Sequence, residues 1–194
     1  MIAKNAQIVL IRHGKPTDVR TERIAGCDIG SWIEHYDTRG ITTDVEPPKR
    51  AREAGSNAQY VVTSDLRRAV ESAAWIAGTK EVHCDHELRE AGLPRSLNIP
   101  IQLSPATWIP LARAVWWLDW CDSDETIQMT RKRAGRVANR LIKLAAEYGF
   151  VMVVGHGVFN RFLATQLLHR GWNGRRTVFA PHWAVARYEK GQVN

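Results

Sequence analysis

Two histidines, each followed by glycine, stand directly after apolar segments of the chain. His13 follows the run IVLIR, and His156 follows VMVVG. Short runs rich in β-branched residues are typical of buried strands, and the glycine after each histidine marks the end of the strand. A neutral imidazole can attack phosphorus, and a second imidazole can donate a hydrogen bond to a phosphoryl oxygen. The pair could therefore carry out phosphoryl transfer.

Arginines near these histidines could hold the anion that such chemistry requires. Arg12 precedes His13, and Arg67 and Arg68 lie in the first turn of a helix predicted after another strand. A guanidinium presents planar, forked donors that match a phosphate group. The helix predicted after Gly157 would add backbone N–H groups and the positive end of its dipole. We therefore predict an anion site suited to a phosphate dianion.

A carboxylic acid is needed as well, because the leaving oxygen of a phosphate ester must be protonated. Glu87 and Glu90 are the nearest candidates in order along the chain. Residue type and spacing leave both open at this point.

Alternating strands and helices position these side chains. The sequence predicts an α/β fold, a three-layer α/β/α sandwich around a mainly parallel sheet with an antiparallel edge strand. In such sheets ligands bind beyond the carboxyl ends of the strands, near a topological switch point, so the histidines and arginines should share one rim. Strands are predicted at residues 7–12, 59–63, 81–84, 150–154 and 183–188, and helices at 50–58, 64–78, 105–119, 124–148 and 159–168.

Local signals define the predicted helix starts. Ser64 is expected to cap the helix over 64–78, and Asp122 with Glu125 should form a capping box for the helix over 124–148. Residues 15–48 are polar and lack periodicity, so no helix or strand is predicted there.

Length and composition limit the class of protein. The 194 residues, with 44% hydrophobic and 24% charged residues, are typical of one globular domain over 1–194. No run approaches the roughly 18 apolar residues that a membrane span needs, and the N-terminal apolar stretch is too short for a signal peptide. The three cysteines, Cys27, Cys84 and Cys121, have no metal-like spacing. An odd cysteine count without such spacing favours the reducing cytoplasm.

The formal net charge of +7 points to anionic partners. A phosphorylated small molecule, nucleic acid and a merely basic surface are all compatible with it. A basic stripe along the helix over 124–148 has a solvated face as its default interpretation and a polyanion site as the alternative. The stripe comprises Lys132, Arg133, Arg136, Arg140 and Lys143. The segment from His83 to His86 resembles a metal site, but its residues alternate sides of a strand, so we predict no metal.

Four tryptophans fall between residues 105 and 120. They are Trp108, Trp116, Trp117 and Trp120. They could form an apolar wall or lid over the pocket, or could pack their helix onto the domain.

Four segments of the chain resemble the signature segments of the histidine phosphatase superfamily, which includes phosphoglycerate mutase-like enzymes. In chain order they are LIRHGKP, SDLRRAVESA, LRE and VVGHGV. The resemblance covers roughly residues 7–90 and 150–168, and it implies that the Trp-rich segment at about 91–123 is an insertion or lid. It implies a phosphoglycerate mutase-like fold and a phosphohistidine intermediate. It also implies that neither a metal nor an organic cofactor is needed.

The resemblance further implies a role for each matching residue. His13 would be the nucleophile, His156 the second histidine and Glu90 the proton donor. The superfamily pattern selects Arg68 over Arg67 as the arginine that binds the phosphate group. Arg12, Thr17 and Gly157 would complete the substrate-binding set.

We therefore expect a phosphomonoesterase that acts on a phosphorylated small molecule, with a phosphoprotein as the alternative substrate. A phosphomutase using the same pocket remains open, as does a non-catalytic protein that binds phosphorylated ligands. The latter is kept open because Pro16 and the segment after Glu90 depart from the superfamily pattern. Neither nucleic acid nor a membrane is expected as a partner, and a homodimer is compatible with the sequence.

Overall fold

A six-stranded mixed β-sheet forms the centre of the computed structural model, which describes residues 6–17, 19–120, 123–176 and 181–190. The strands are β1 (Gln7–Arg12), β2 (Ile24–Ala25), β3 (Tyr60–Thr63), β4 (His83–Cys84), β5 (Gln102–Leu103), β6 (Phe150–Gly155), β7 (Trp172–Gly174) and β8 (Val185–Lys190). The α-helices are α1 (Ile29–Asp37), α2 (Lys49–Asn57), α3 (Arg67–Ala77), α4 (Pro105–Trp117), α5 (Ile127–Tyr148) and α6 (Gly157–His169).

The order of strands in the main sheet is β4-β3-β6-β1-β8-β7. The first four are parallel, whereas β8 is antiparallel to both β1 and β7. The predicted fold class is therefore confirmed, with one correction: the antiparallel strand β8 is not at the edge. Residues 172–174 add β7 outside it, and three residues were too few to produce a recognisable pattern.

Helices cover both faces of this sheet, as the alternation of β-strand side chains requires. From β1 and β6, one face carries Ile8, Leu10, Val151 and Val153 against α5 and α6. The other face carries Val9, Ile11, Met152 and Val154 against α2 and α3. Both sets are buried, which confirms the predicted three layers.

A smaller apolar cluster lies apart from the sheet, where α1 contacts α4. Its buried members are Ile29, Leu97, Trp108 and Ala112. The sequence did not predict α1, because only Ile29 and Trp32 of its nine residues are buried and the surrounding segment is polar. The short pair β2–β5 is also absent from the prediction, since two residues per strand carry no periodicity.

Two predicted helix caps were wrong. Helix α3 begins at Arg67 after Leu66, and the hydroxyl of Ser64 instead contacts His156. Helix α5 begins at Ile127, where the Thr126 side chain accepts a hydrogen bond from the Met129 N–H at 3.2 Å. Glu125 forms an ion pair with Arg133 rather than a capping box. Asp122 lies outside the described residues.

Across the described part of the chain, no helix is both long enough and apolar enough to cross a membrane.

Candidate active site

His13 and His156 meet at the carboxyl end of the parallel strands. Strands β1 and β6 pair in register, so that Arg12 lies opposite Gly155, and each histidine is the next residue along its strand. The backbone N–H of His13 donates to the Gly155 carbonyl at 3.0 Å, and the two imidazole centroids are 5.1 Å apart. Both side chains are buried, with relative exposures of 2% and 0%. The predicted convergence of the two histidines is therefore present.

The protonation state of His13 suits a nucleophile. Its Nδ1 lies 2.7 Å from the Gly14 carbonyl oxygen, and a carbonyl can only accept, so Nδ1 carries the proton. The Nε2 lone pair is then directed away from that contact. Burial lowers the pKa of His13 well below 6.5, and the nearby His156 and Arg68 lower it further. The imidazole is therefore neutral at pH 7, with one nitrogen able to attack.

His156 is fixed on both sides by polar contacts. Its Nε2 lies 2.9 Å from the Ser64 hydroxyl, and its Nδ1 accepts from the Arg68 guanidinium at 3.5 Å. Burial lowers the pKa of His156 well below 6.5, and the positive charges of Arg68 and Arg12 add to this effect. Ser64 is thus a site residue that sequence reasoning assigned to a different role.

The structure brings Arg68, and not Arg67, to the histidines. Arg68 is buried, donates to Asp37 Oδ1 at 3.0 Å and lies 4.5 Å from the centroid of the Tyr36 ring. Its Nε is buried with no hydrogen-bond partner among the described residues. Arg67 instead pairs with Glu71 on the exposed side of α3. Asp37 and Tyr36 were not predicted, because they lie on the unpredicted helix α1.

The turn after His13 is held from two directions. The Gly14 N–H donates to Ser72 Oγ at 2.8 Å, and that hydroxyl donates to the Arg68 carbonyl at 2.6 Å. On the other side lies the indole of Trp183, so a Cβ at position 14 would come within 2.6 Å of a ring carbon. Trp183 itself adopts a positive φ of 62° and donates its N–H to the Arg12 carbonyl at 3.1 Å. Glycine is therefore required directly after His13.

A third histidine, His182, lies close to His13, with ring centroids 5.4 Å apart. Burial, together with the charges of Arg12 and Lys15, lowers the pKa of His182 to about 4. The sequence offered no signal for it, because it precedes β8 in a segment without a motif.

Glu90 belongs to the loop after β4, and its side chain contacts the first turn of α6. Its carboxylate accepts from the N–H groups of Phe159 at 2.8 Å, Val158 at 3.2 Å and Ala91 at 2.9 Å. The expectation that the first turn of α6 would offer its N–H groups to phosphate therefore needs correction. Two of these groups are already used by Glu90, because the loop after β4 lies against the start of α6. Gly157 still lines the cavity beside Arg12.

Glu87 is excluded as a cavity residue by its contacts. Its carboxylate accepts from Arg136 at 2.7 Å and from Arg140 at 2.9 Å, and it does not line the cavity. The basic stripe on α5 is thus neither a free polyanion surface nor simply solvated. Arg133, Arg136 and Arg140 are all in ion pairs within the chain, whereas Lys132 and Lys143 are exposed.

One cavity of about 680 Å³ contains these groups, a volume suited to a small organic ligand. His13, His156, Arg12, Arg68 and Glu90 line its inner end. Apolar side chains extend it toward the Trp-rich segment, and these are Trp32, Ile33, Leu93, Ile109, Pro110 and Trp117. Thr17 is not brought to the cavity, because its N–H is bonded to the Gly40 carbonyl beside the Pro16–Ile41 bridge.

The four tryptophans fall into different roles. Trp108 and Trp116 are buried and donate their indole N–H groups to the carbonyls of Ile24 and Glu125, so they belong to the interior. Trp117 lines the cavity and is 39% exposed, while Trp120 is 75% exposed.

Nothing in the described residues groups three His, Cys, Asp or Glu side chains so that they could hold a metal. The segment that resembled a metal site is spread out: His83 stacks on Tyr60, and Asp85 forms an ion pair with Arg140.

The sequence over residues 8–192 matches the model of the histidine phosphatase superfamily (branch 1). The chain belongs to this superfamily. In a comparison of sequences, no curated protein matches it.

Solved structures of other proteins have the same fold. An open reading frame product of Mycobacterium tuberculosis is 18% identical with a TM-score of 0.60, covering 95% of this chain and 91% of that one. A mycobacterial glucosyl-3-phosphoglycerate phosphatase is 18% identical with a TM-score of 0.60, covering 94% and 89%. A phosphoserine phosphatase of Entamoeba histolytica, in complex with 3-phosphoglyceric acid, is 19% identical with a TM-score of 0.56, covering 96% and 98%. At these identities the likeness establishes the fold alone.

Proposed function

We propose that this protein is a phosphomonoesterase that hydrolyses a phosphorylated small molecule through a phosphohistidine intermediate on His13. The observation that carries the proposal is the state of that side chain. His13 is buried and neutral, and the Gly14 carbonyl holds its Nδ1 proton, so that Nε2 can act as the nucleophile.

In the first step, His13 Nε2 attacks phosphorus, a P–N bond forms and the P–O bond to the alcohol breaks. Arg12 and Arg68 neutralise charge on the transferring group, since phosphoryl transfer depends mainly on positioning and electrostatic stabilisation. The buried Arg68 Nε, which has no hydrogen-bond partner among the described residues, supplies a donor for a phosphoryl oxygen. The imidazole centroid of His156 lies 5.1 Å from that of His13, so His156 would also lie beside the transferring phosphoryl group.

Glu90 enters this step as the carboxylic acid and gives its proton to the leaving oxygen. The carboxylate so formed, which accepts three backbone N–H groups, then takes up a proton from the attacking water. The water oxygen bonds to phosphorus, the P–N bond breaks and inorganic phosphate leaves. Glu90 is preferred over Glu87 because it lines the cavity, whereas Glu87 is engaged with two arginines of α5.

The rest of the cavity supports an organic leaving group of some size. Ile109, Pro110 and Trp117 come from the segment that we propose, over 91–123, as a specificity wall within a single domain spanning 1–194. Two of the structures with this fold are phosphatases of glucosyl-3-phosphoglycerate and of phosphoserine, which favours small molecules over phosphoproteins here as well. We also retain the cytoplasm as the expected location.

The test is release of inorganic phosphate from a panel of phosphate esters by the unmodified protein, His13→Ala and His83→Ala. His83 is a matched control because it is remote from the cavity and stacks on Tyr60. We expect His13→Ala to lose roughly 10⁴-fold or more in turnover, and His83→Ala to keep it. Full activity of His13→Ala would overturn the mechanism. A stable phosphoenzyme with little phosphate release would favour a mutase, and ligand binding without either would favour a binding protein.

A further inference from the structure

The charged side chains that line the cavity differ in whether they are paired with other groups of the chain. Four carboxylates line the cavity, and each is engaged within the chain. Asp37 pairs with Arg68, Asp124 with Arg95, Glu125 with Arg133, and Glu90 accepts three backbone N–H groups. The cavity therefore offers few free acceptors to a cationic ligand.

Most arginines that line the outer part of the cavity also form ion pairs or hydrogen bonds within the chain. Arg89 pairs with Asp65, and Arg95 pairs with both Asp124 and Glu34. Arg113 donates to the carbonyls of Gly92 at 2.7 Å and Ala91 at 3.2 Å.

Arg161 differs from these arginines. Its guanidinium has no ion pair or hydrogen bond with any described residue, and it lies over the ring of Trp117, 5.4 Å from the centroid. A cation–π contact arises from the attraction of the positive charge to the ring and forms no conventional hydrogen bond, so N–H donors of the guanidinium stay available.

The position of Arg161 directs it toward the phosphate end of the cavity. It is four residues after Gly157 on α6, so the two residues share one face of the helix, about 6 Å apart along the axis. Side chains on a helix lean toward its N-terminus, and the N-terminus of α6 is where Glu90 and His156 lie.

The aromatic support under Arg161 is itself fixed. The Trp117 ring stacks on Phe162, with centroids 5.4 Å apart and planes 10° from parallel. Phe162 is buried, so the stack restricts where the Arg161 guanidinium can lie. A cation held in this way loses less conformational entropy when it binds an anion.

We propose that Arg161 forms a second anion subsite, which binds a carboxylate or a second phosphate of the substrate about one helical turn from the phosphate that is transferred. This rests on the proposed function for the identity of the first phosphate site. The substrate class is then a phosphomonoester whose alcohol carries another anionic group beyond a short apolar spacer. The spacer would lie along the wall that includes Ile109 and Trp117.

The test uses phosphate esters that differ only in their far end. Alkyl phosphates with spacers of two to six methylenes are compared with the same chains ending in a carboxylate or in a second phosphate. Dissociation constants are measured by calorimetry in a His13→Ala background, so that binding does not depend on turnover. The same compounds are assayed for phosphate release with His13 intact.

We expect the anionic chain end to tighten binding about tenfold at one preferred spacer length, as for a single charge-assisted hydrogen bond. With Arg161→Gln the ratio between the anionic and plain compounds should fall to near one. The exposed Lys132→Gln is the matched control for loss of one positive charge and should keep the ratio. The carboxylate and bisphosphate series separate the two sources of the second anion.

The same ratio in Arg161→Gln as in the background protein would overturn the second subsite, and so would the absence of any preference for an anionic end. The proposed function fails separately, if the protein with His13 intact releases no phosphate from any compound that it binds.

Discussion

At the scale of single residues, the proposed chemistry depends on one hydrogen bond and one burial effect. The Gly14 carbonyl determines which nitrogen of His13 carries the proton. Burial beside Arg68 keeps the ring uncharged. A charged His13 would lack the lone pair that attacks phosphorus, so both effects act in the direction that the mechanism needs.

The titration of the histidines tests this arrangement directly. We expect His13 and His156 to take up their protons only well below pH 6.5, and His182 to take up its proton near pH 4. His13 should carry its proton on Nδ1. Two-dimensional ¹H–¹⁵N spectra of the imidazole nitrogens report both properties. A midpoint near 6.5 for His13 would contradict the burial argument.

A second prediction at this scale concerns the stability of the protein when Gly14 is replaced. In Gly14→Ala the new methyl would come within 2.6 Å of the Trp183 ring, so the ring or the turn would have to move. Overpacking of this kind costs about 1–3 kcal/mol of unfolding free energy. Gly157→Ala is the control, because its added methyl would meet Arg12 only at an ordinary 3.5 Å. Urea unfolding measures both, and equal stability of the two variants would argue against the steric account.

At the scale of elements, α5 positions the loop that carries Glu90. The Arg133 guanidinium donates to the carbonyl of Glu87 at 2.6 Å and of Arg89 at 3.0 Å, and it pairs with Glu125. It also lies 4.0 Å from the centroid of the Phe159 ring on α6. One side chain thus ties α5, the loop and the start of α6 together around Glu90.

Arg133→Lys keeps the charge but loses the forked donors, so the loop should no longer hold Glu90 in place. We expect turnover to fall about tenfold or more for alkyl phosphates, whose poor leaving groups need the proton. For p-nitrophenyl phosphate, whose leaving group needs little protonation, the loss should be much smaller. Arg136→Lys serves as the matched control, because the hydrogen bonds of the Arg136 guanidinium to described residues all go to Glu87 at the surface. Equal losses on both kinds of substrate would indicate general damage.

The elements that could be predicted from the sequence are those with clear local patterns. Strands β1 and β6 and helices α4 and α6 were predicted because their apolar patterns are long or end in clear signals. His13 and His156 were predicted with them, since each directly follows its strand. Helix α1 was missed because its burial depends on α4, which is distant in sequence. The site residues on α1, as well as Ser64 and His182, were therefore beyond prediction, because tertiary contacts alone bring them to the site.

At the scale of the whole molecule, the net charge of +7 gives a misleading impression of a polyanion-binding surface. The basic stripe on α5 is largely neutralised by Asp85, Glu87 and Glu125. Inside the cavity, the Arg161 guanidinium has no ion pair or hydrogen bond with any described residue. Which positive charges are paired within the chain is a property that composition alone could not reveal.

Stability should depend on pH because two buried histidines resist protonation. In the unfolded chain each takes up a proton near pH 6.5, but in the folded protein His13 and His156 do so only at much lower pH. The unfolding free energy should therefore fall as pH drops below 6.5, by up to about 1.4 kcal/mol per pH unit for each histidine. Urea unfolding between pH 7.5 and 5 measures the slope. His156→Asn should make the slope shallower, and a slope identical to that of the unmodified protein would contradict this assignment.

The central claim is that His13 becomes phosphorylated during turnover. The protein is mixed with a phosphate ester, quenched in alkali within milliseconds to seconds and digested, and the phosphopeptide is mapped by mass spectrometry. We predict one acid-labile, base-stable phosphate on His13, which forms and decays at rates that account for turnover and is absent in His13→Ala. Phosphate release at the full rate with no phosphate on His13, or with the label on another residue, would contradict the account.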